Sequence, residues 1–407
     1  MRHQPPVHSP LAVRALLGPA GRASTDRLRA LLRDEYAADE VVLCGSGTEA
    51  LVLAIRAAML HVEPGAAIAI PAFTCYDVAA AAVATDRPLH LFDIDPVTLA
   101  PVTASVERVL AAGARVVVIA PLYGVPVAWE PLARLAEEHG AVLVEDAAQG
   151  HGAAWRGRPL GSLAGLGVLS FGRGKGWTGG RGGALLLRHE FGAADARRIE
   201  RELAPATSGL PLRAAGLAQW LLGRPSLYGI PAAIPWLGLG ETRYHDAPPL
   251  GGLPHAAARL LLASRAAAAS EAGVRAATAR RFVAFLDTRA PEAMVRVPED
   301  GVPGHLRFPV RLGAALAEPR LRRLAARLGI ARSYPKPLGR LAPVRQRLAA
   351  PGDWPGAARL ATELITLPTH SRLTAADRDR ILDWVDAAAK CRAPRPFTDT
   401  AGITPAV

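Results

Sequence analysis

The sequence predicts an α/β protein built on a large, mostly parallel sheet that helices cover on both faces. Short, continuously apolar runs alternate with helical patterns from residue 25 to about 190, and turn residues end each run. Apolar runs of this kind are typical of strands buried on both faces of a sheet. The predicted strands are 41–44, 67–70, 89–92, 116–120, 141–144, 166–171 and 184–187.

Helices are predicted between several of these strands. Thr25 and Asp26 are expected to cap a helix that runs to Tyr36, and 49–59 and 130–139 are also expected to be helical. In sheets of this class, ligands bind beyond the carboxyl ends of the strands. The sequence therefore predicts a site formed by the segments 45–48, 71–76 and 145–151.

The chain is expected to form two domains and a tail. The larger domain is predicted over 1–250, and its last part, 191–250, is an apolar insertion rich in Pro, Gly and Trp. We expect this insertion to cover the site or a subunit interface rather than span a membrane, because arginines and helix breakers interrupt it. A smaller α+β domain is predicted over 251–390, beginning with a long helix, and 391–407 is expected to be disordered.

The composition excludes several classes of protein. The net charge is +12, but the basic residues are scattered without a run of five, so a nucleic-acid partner is not predicted. The three cysteines form no CxxC pair, which predicts neither a disulfide framework nor a metal site. The amino terminus has no continuous apolar segment of the signal-peptide kind. A cytoplasmic location is expected.

Lysine is rare in this chain, which draws attention to Lys175. Only three of the 48 basic residues are lysines, and Lys175 lies in the glycine-rich segment SFGRGKGWTGGRGG (170–183). A lysine can lose its proton and act as an amine nucleophile, whereas an arginine stays charged. A phosphate-binding loop of the G-x-x-x-x-G-K-[ST] type is excluded, because Gly176 follows the lysine.

Three further features accompany this lysine. Asp146 directly follows a predicted strand, where its carboxylate can hold a positive charge. The turn GSGTEA (45–50) opens a helix, whose free N–H groups and dipole suit a phosphate, and Ser170 adds a hydroxyl. An amine, an acid and a phosphate cradle are the groups that pyridoxal 5′-phosphate requires of a protein. The sequence therefore predicts a site for this cofactor.

With these motifs the chain resembles the DegT/DnrJ/EryC1/StrS family of pyridoxal-phosphate enzymes, best known as nucleotide-sugar aminotransferases. The order and spacing of the matching segments extend over nearly the whole chain. These segments are GSGTEAL (45–51), IPAFTCYDV (70–78), the run APLYG…GSLAG (120–165), SFGRGKGWTGGRGG (170–183), YPKPL (334–338) and LPTHSRLT (367–374).

The resemblance implies a type I pyridoxal-phosphate transferase fold and a homodimer with sites at its interface. By position, Lys175 is similar to the lysine that forms the Schiff base, and Asp146 to the partner of the pyridinium nitrogen. Gln149 matches the residue that contacts the phenolic oxygen of the cofactor. The remaining cofactor contacts are expected from Gly47, Thr48, Glu49, Cys75, Tyr76 and Ser170.

The reaction implied by the resemblance is the transfer of an amino group from an amino acid, usually glutamate, to a keto sugar, generally nucleotide-linked. Two alternatives stay open at this point. One keeps the cofactor but changes the acceptor to an aminocyclitol precursor or to a lipid- or polymer-linked sugar. The other is a descendant without catalytic activity that serves a regulatory role.

Several residues depart from the family pattern. Arg181 stands where the glycine-rich loop usually has an acid, and Cys75 stands where an aromatic residue commonly stacks on the cofactor ring. Phe73 and Tyr76 flank this cysteine, so the stacking residue is left open. The usual Asn-Tyr-Arg segment, which contributes phosphate contacts across the dimer, is not evident, and Arg243 lies near its place. These departures affect the substrate pocket more than the cofactor chemistry.

Overall fold

The structure is a computed structural model that describes residues 3–18, 21–232 and 242–391. Its centre is a seven-stranded sheet with the order β1-β9-β8-β5-β4-β2-β3. The strands of this sheet are β1 (Glu40–Cys44), β2 (Ala67–Pro71), β3 (Leu89–Phe92), β4 (Ala114–Ile119), β5 (Val142–Asp146), β8 (Leu166–Ser170) and β9 (Gly183–Leu187). Two three-stranded sheets contain β6 (Ala154–Trp155), β7 (Arg158–Pro159) and β10 (Gly301–Val302), and β11 (Phe308–Val310), β12 (Ala331–Arg332) and β13 (Ile365–Leu367).

The predicted fold class is confirmed, with one strand running against the others. Each of the seven predicted strands is present with its ends shifted by at most two residues. β9 pairs antiparallel with both β1 and β8, which makes the sheet mixed. The reversal turns the chain back between Ser170 and Gly183, and the glycine-rich segment that contains Lys175 makes that turn.

Helices cover the sheet, and the predicted ones lie close to their expected places. The cap predicted for the first helix is wrong: the N-cap residue is Gly21, and Thr25 lies within the first turn, where its Oγ1 donates to the Arg22 carbonyl at 2.6 Å. The helices are α1 (Arg22–Tyr36), α2 (Gly47–Ala58), α3 (Tyr76–Val83), α4 (Thr103–Ala111), α5 (Glu130–Glu138), α6 (Ala193–Glu200), α7 (Leu210–Leu222), α8 (Gly229–Ala232), α9 (His255–Arg289), α10 (Pro319–Leu328), α11 (Ala342–Arg345), α12 (Pro355–Glu363) and α13 (Ala375–Lys390).

Two buried apolar clusters share the long helix α9. Leu261 belongs to the large cluster around the seven-stranded sheet, whereas Phe282 belongs to the smaller cluster with Trp384. The chain later returns to the large cluster at Leu360. The division at residues 250 and 251 stays a prediction, and residues 392–407 of the expected tail lie outside the described part.

The N-terminal segment, residues 3–18, lies across several elements. Its short 3-10 turn Val13–Leu16 packs against α7, where Leu16 faces Gly216. Gln4 Nε2 donates to Asp377 Oδ2 of α13 at 2.8 Å. In the part of the chain that the structure describes, no helix has the length and apolar character needed to cross a membrane.

Candidate active site

A cavity of about 250 Å³, called here the inner cavity, lies at the carboxyl ends of β2, β4 and β5. It brings together residues that are far apart in sequence, as the parallel sheet predicts. Seven of the nine residues predicted to contact the cofactor line it, namely Gly47, Thr48, Cys75, Asp146, Gln149, Ser170 and Lys175.

The N-terminus of α2 forms one end of the inner cavity. The Ser46 side chain caps this helix and accepts the Glu49 N–H at 3.2 Å, while the N–H groups of Gly47 and Thr48 in the first turn have no partner within the helix. A Cβ on Gly47 would lie 2.6 Å from Ser170 Oγ, so only glycine permits this approach of α2 to β8. Two free N–H groups beside a hydroxyl form an anion site.

Arg181 adds a cation at the same end. Its Nε donates to the Gly45 carbonyl at 3.1 Å, and its side chain lines the inner cavity with Gly47 and Ser170. The residue that replaces the expected acid therefore increases the positive potential where the helix dipole is already positive.

Glu49 does not line the inner cavity, and the contact predicted for it is corrected by the geometry. Its carboxylate is buried and accepts the N–H groups of Gly45 at 3.1 Å and Gly251 at 2.9 Å. It also accepts the hydroxyl of Ser46 at 3.0 Å. The carboxylate thus holds the turn before α2 in place instead of facing a ligand.

Asp146 ends β5 and is 8% exposed, with Oδ1 accepting the Ala148 N–H at 3.0 Å. Burial raises the pKa of this carboxyl, while the charge of Lys175 and the Ala148 N–H lower it. A buried acid beside a cation can stay ionised and hold a protonated ring nitrogen. Together with the anion site on α2 and the amine of Lys175, this set of groups fits pyridoxal phosphate.

Gln149 is held from two sides. Its Oε1 accepts the Tyr123 N–H at 2.9 Å, and its Nε2 donates to the Tyr334 hydroxyl at 2.9 Å. The second proton on Nε2 is left for a ligand oxygen, because a primary amide carries two donor protons. Tyr334 comes from a segment 185 residues further along the chain, so no local pattern predicts this contact.

No aromatic side chain is found among the described residues that line the inner cavity. Phe73 is fully buried and packs edge-on against Tyr334, with ring centroids 5.5 Å apart. The Tyr76 hydroxyl accepts the Lys336 N–H at 3.1 Å, and Tyr76 lines a neighbouring cavity instead. Cys75 occupies the wall, and burial and the nearby Asp77 raise the pKa of its thiol to about 12.

The neighbouring cavity measures about 310 Å³ and is called the arginine-lined cavity. It shares Cys75, Gln149 and Lys175 with the inner cavity. Besides Lys175, its cationic lining residues are Arg173, Arg243, Arg307 and Arg332. The sequence analysis singled out Arg243 but missed Arg307 and Arg332, because only the packing of the chain after α9 brings them to Lys175.

Asp77 is another lining residue that the sequence analysis missed. It lies in the first turn of α3, faces both the inner and the arginine-lined cavity, and accepts from Cys75 Sγ at 3.4 Å. Asp77 directly follows the predicted site segment 71–76, and this position in the sequence could have indicated that it lines the site. Its charge also raises the pKa of Asp146, after the larger effect of burial.

Comparisons with known proteins relate part of the chain to aminotransferases. Residues 19–204 match the model of the DegT/DnrJ/EryC1/StrS aminotransferase family. An "L-glutamine:2-deoxy-scyllo-inosose aminotransferase" of Streptomyces fradiae is 34% identical over 208 residues, which cover 48% of each chain. A UDP-N-acetyl-3-dehydro-alpha-D-glucosamine 3-aminotransferase of Acidithiobacillus ferrooxidans is 34% identical over 128 residues, 31% of this chain and 34% of that protein. The chain thus spans about half the length, or less, of the curated relatives it matches.

Solved structures extend the likeness of the fold to nearly the whole chain. The aminotransferase TlmJ of Streptoalloteichus hindustanus superposes with a TM-score of 0.71 at 23% identity, over 96% of this chain and 99% of that one. A putative sugar aminotransferase of Streptococcus pneumoniae, Spr1654 in its PLP-form, gives 0.72 at 19% identity, over 96% and 98%. Residues 19–204, a little under half of the chain, are therefore similar to the DegT/DnrJ/EryC1/StrS aminotransferase family.

Proposed function

We propose that this protein is a pyridoxal-phosphate-dependent aminotransferase that moves an amino group from an amino acid to a keto sugar. One observation carries the proposal: the amine of Lys175, the carboxylate of Asp146 and the anion site at Gly47 and Ser170 line one cavity. Curated relatives are named as aminotransferases of an inosose and of a UDP-linked keto sugar, which supports this reaction class.

Pyridoxal phosphate, when bound, supplies an aldehyde that takes up the amino group and a ring that accepts electrons. Lys175 would hold this aldehyde through its amine until the amino donor replaces it. Its free Nζ would then accept the proton of the donor α-carbon, and would later give a proton to the carbon of the acceptor that gains nitrogen. The two roles require a side chain that can lose its proton, which excludes arginine at this position.

Asp146 and Gln149 orient the ring. The Asp146 carboxylate keeps a ring nitrogen protonated, since an opposite charge within a few ångströms favours the charged form. The remaining Nε2 proton of Gln149 is placed for the phenolic oxygen. The Tyr334 hydroxyl and the Tyr123 N–H hold the Gln149 amide in one orientation, so the amide is preorganised before a ligand binds.

The phosphate end is held by the chain's own groups. The N–H groups of Gly47 and Thr48, the Ser170 hydroxyl and the Arg181 guanidinium surround the anion site. Arg181 takes the place of the cation that related enzymes are expected to receive from a partner subunit. A charge-assisted hydrogen bond of this type is about twice as strong as a neutral one.

The acceptor is expected in the arginine-lined cavity, which opens on Lys175. The amino donor is expected to be glutamate from the resemblance, while the names of several curated relatives specify L-glutamine. Both donors can be compared directly, because each converts the enzyme to its aminated form in the absence of acceptor.

A homodimer and a cytoplasmic location complete the proposal. The dimer follows from the family resemblance, and light scattering after gel filtration should give the mass of two chains. The described cysteines, Cys44, Cys75 and Cys391, are unpaired, which is compatible with a reducing compartment. Fractionation of the native cell would test the location.

The decisive experiment on the activity is spectroscopic. Purified protein with added cofactor should develop a visible absorption band, and borohydride should fix the cofactor on Lys175, where peptide mass spectrometry would find it. A band that is unchanged in Lys175→Ala would overturn the proposal. Glutamate or glutamine should bleach the band, and a keto sugar should restore it.

A further inference from the structure

A third cavity lies beside the Lys175 loop and, apart from Arg173 and Gly174, is built by segments outside the matched range 19–204. It measures about 490 Å³ and is called the α7 cavity. Its walls come from the N-terminal segment (Pro5–Ser9 and Leu11), from α7 and from single residues of the second half of the chain. The family match over residues 19–204 therefore says nothing about what this cavity binds.

The charged residues that line the α7 cavity are all cationic. Arg173, Arg307 and Arg372 line it, and no aspartate or glutamate of the described chain does so. The segments 3–18 and 203–232 also contain no acidic residue. His8, which faces the same space, is neutral, since burial and then Arg372 lower its pKa to about 3. An anion entering here meets attraction from several sides.

The rest of the lining is apolar. Val7 and Leu11 of the N-terminal segment face Leu222 of α7, and the rings of Trp220 and Tyr228 complete the wall. The apolar surface continues outside the cavity, where Leu217 is 52% and Leu221 is 42% exposed. An apolar chain held in the cavity can therefore extend along α7.

The α7 cavity is connected to the reacting amine. Arg173, Gly174 and Arg307 line both it and the arginine-lined cavity that contains Lys175. The Ser9 hydroxyl donates to the Lys175 carbonyl, and Val7 lies 3.0 Å from where a Cβ on Gly174 would be. Arg173 and Arg307 thus lie between the Lys175 amine and the apolar space.

We propose that the α7 cavity binds the non-reacting part of the acceptor, and that this part is a phosphate group joined to an apolar chain. The inference rests on the proposed aminotransferase function, because the ketone must reach Lys175. Arg173 and Arg307 bind the phosphate, and the apolar wall of α7 and the N-terminal segment binds the group beyond it. A neutral cyclitol would contact neither the arginines nor the apolar wall of this cavity.

Binding to the cofactor-loaded enzyme tests the proposal without turnover. We expect calorimetry to give n-octyl phosphate about tenfold tighter binding, or more, than inorganic phosphate or 1-octanol, because only the first fills both halves. Uridine 5′-monophosphate, in which a polar nucleoside replaces the alkyl chain, serves as the control. Binding of n-octyl phosphate that is tighter than that of both uridine 5′-monophosphate and inorganic phosphate supports the site, and binding no tighter than that of either overturns it.

Matched variants locate the binding. Ala218→Trp fills the α7 cavity from an exposed position of α7 and should weaken ester binding by about tenfold or more. Ala214→Trp, on the same helix but outside the lining, should leave binding unchanged. Arg173→Gln removes one charge from an exposed loop position and should weaken n-octyl phosphate binding by about tenfold. Equal binding by Ala218→Trp and the unsubstituted protein would refute the site.

The half-reactions separate this proposal from the one on which it rests. If the α7 cavity serves the acceptor, Ala218→Trp keeps the visible band and its bleaching by the amino donor. Only its recovery with a phosphate-linked keto sugar is slowed. If the unsubstituted protein forms no visible band with added cofactor, the proposed aminotransferase function is refuted. If the band of Ala218→Trp recovers with the acceptor as fast as in the unsubstituted protein, only the acceptor site is refuted.

Discussion

The inner cavity and the α7 cavity both border the Lys175 loop and are built in different ways. The inner cavity consists of strand ends, glycines and one helix N-terminus, all within the range that matches the family. The α7 cavity consists of arginines and of apolar side chains from the N-terminal segment and α7, and apart from Arg173 and Gly174 its lining lies outside that range. Both contain Arg173, so the loop joins them.

This difference separates the chemistry from the selectivity. Backbone N–H groups and strand ends give the inner cavity a fixed geometry, which suits a ligand that is the same in every reaction cycle. Side chains on added segments can change without disturbing the sheet, as is typical of regions that select substrates. We therefore expect substitutions around the inner cavity to affect both half-reactions, and substitutions around the α7 cavity to affect only the second.

The largest effect is expected from Lys175→Ala. Loss of the amine removes covalent attachment and proton transfer, and amino transfer should fall by about 10³–10⁴-fold. Stopped-flow measurement of both half-reactions would show whether both are lost. Lys390→Ala is the matched control, because Lys390 is exposed and pairs only with Asp386 at 2.6 Å. A control as inactive as the variant would contradict the assignment.

Asp146→Asn should have the next largest effect. Removing the charge leaves the ring nitrogen without its partner, and both half-reactions should slow by about 10²–10³-fold. The cofactor should still attach to Lys175, so the visible band should remain with its maximum shifted. Rates within twofold of the unsubstituted protein would show that Asp146 does not hold the ring.

Arg181→Ala tests the phosphate end of the inner cavity. Loss of one charge-assisted contact should weaken cofactor binding by about 10–100-fold, measured by equilibrium dialysis. The rates at saturating cofactor should change little, because Arg181 contacts the Gly45 carbonyl at the α2 end of the inner cavity. Arg198→Ala, at an exposed position on α6, serves as the control. If the two variants bind the cofactor equally well, Arg181 has no role in phosphate binding.

Glu145→Gln tests a carboxylate with a structural role, because Glu145 lies next to Asp146 on β5 but accepts only backbone N–H groups. The buried Glu145 carboxylate accepts the N–H groups of Gly161 at 2.6 Å and Leu163 at 2.8 Å. Replacing one carboxylate oxygen with NH₂ places a donor against a backbone N–H donor. This should lower the free energy of unfolding by about 1–3 kcal/mol. Cofactor binding to the folded variant should be unchanged. Urea unfolding measures the first effect and dialysis the second.

The pH dependence of stability gives Glu145 a second test. Burial raises the pKa of this carboxyl to about 7 from an ordinary value of 4.5, against the opposing N–H groups and Arg188. The folded state therefore binds more protons than the unfolded state between these values, and stability should fall as the pH rises from about 4.5 to 7. The loss should be on the order of 3 kcal/mol. Glu145→Gln should abolish this slope, and an unchanged slope would assign it to other groups.

The smallest effect is expected on the α7 side, from Ser9→Ala. The variant loses the hydrogen bond to the Lys175 carbonyl, worth about 1 kcal/mol. We expect a rise of about fivefold in the KM for the acceptor and no change in the half-reaction with the amino donor. Ser208→Ala, at an exposed position, is the control. A slower donor half-reaction in Ser9→Ala would mean that the N-terminal segment also positions the inner cavity.

Much of the inner cavity could be predicted from sequence because its residues follow local signals. Apolar runs fixed the strands, and the residues after them, such as Asp146 and Gln149, lie at the predicted edge of the sheet. The cofactor contact predicted for Glu49 is corrected because a carboxylate at the start of a helix can either face a ligand or bind the backbone of its own turn. The sequence does not distinguish these two arrangements. The sequence also left open which aromatic residue stacks on the cofactor ring. In the structure Cys75 lies in the wall of the inner cavity, and none of the described residues that line this cavity is aromatic.

The α7 cavity could not be predicted, because no local pattern links its parts. His8, Arg173, Trp220, Arg307 and Arg372 are separated by tens to hundreds of residues, and only packing brings them together. The expectation that the insertion 191–250 covers the site or a subunit interface stays a prediction, because α7 lines the α7 cavity but not the inner cavity and 233–241 lies outside the described residues. The N-terminal segment gave no signal of its contact with Lys175.

The sequence by itself determined the α/β class, the strands and the group of residues around Lys175, because these depend on hydrophobic periodicity and on the common edge of parallel strands. Only the tertiary structure decided which cations reach the Lys175 loop and that an apolar space lies behind them. The physical reason is that side chains on separate segments acquire a shared environment only when burial of the core fixes those segments against each other.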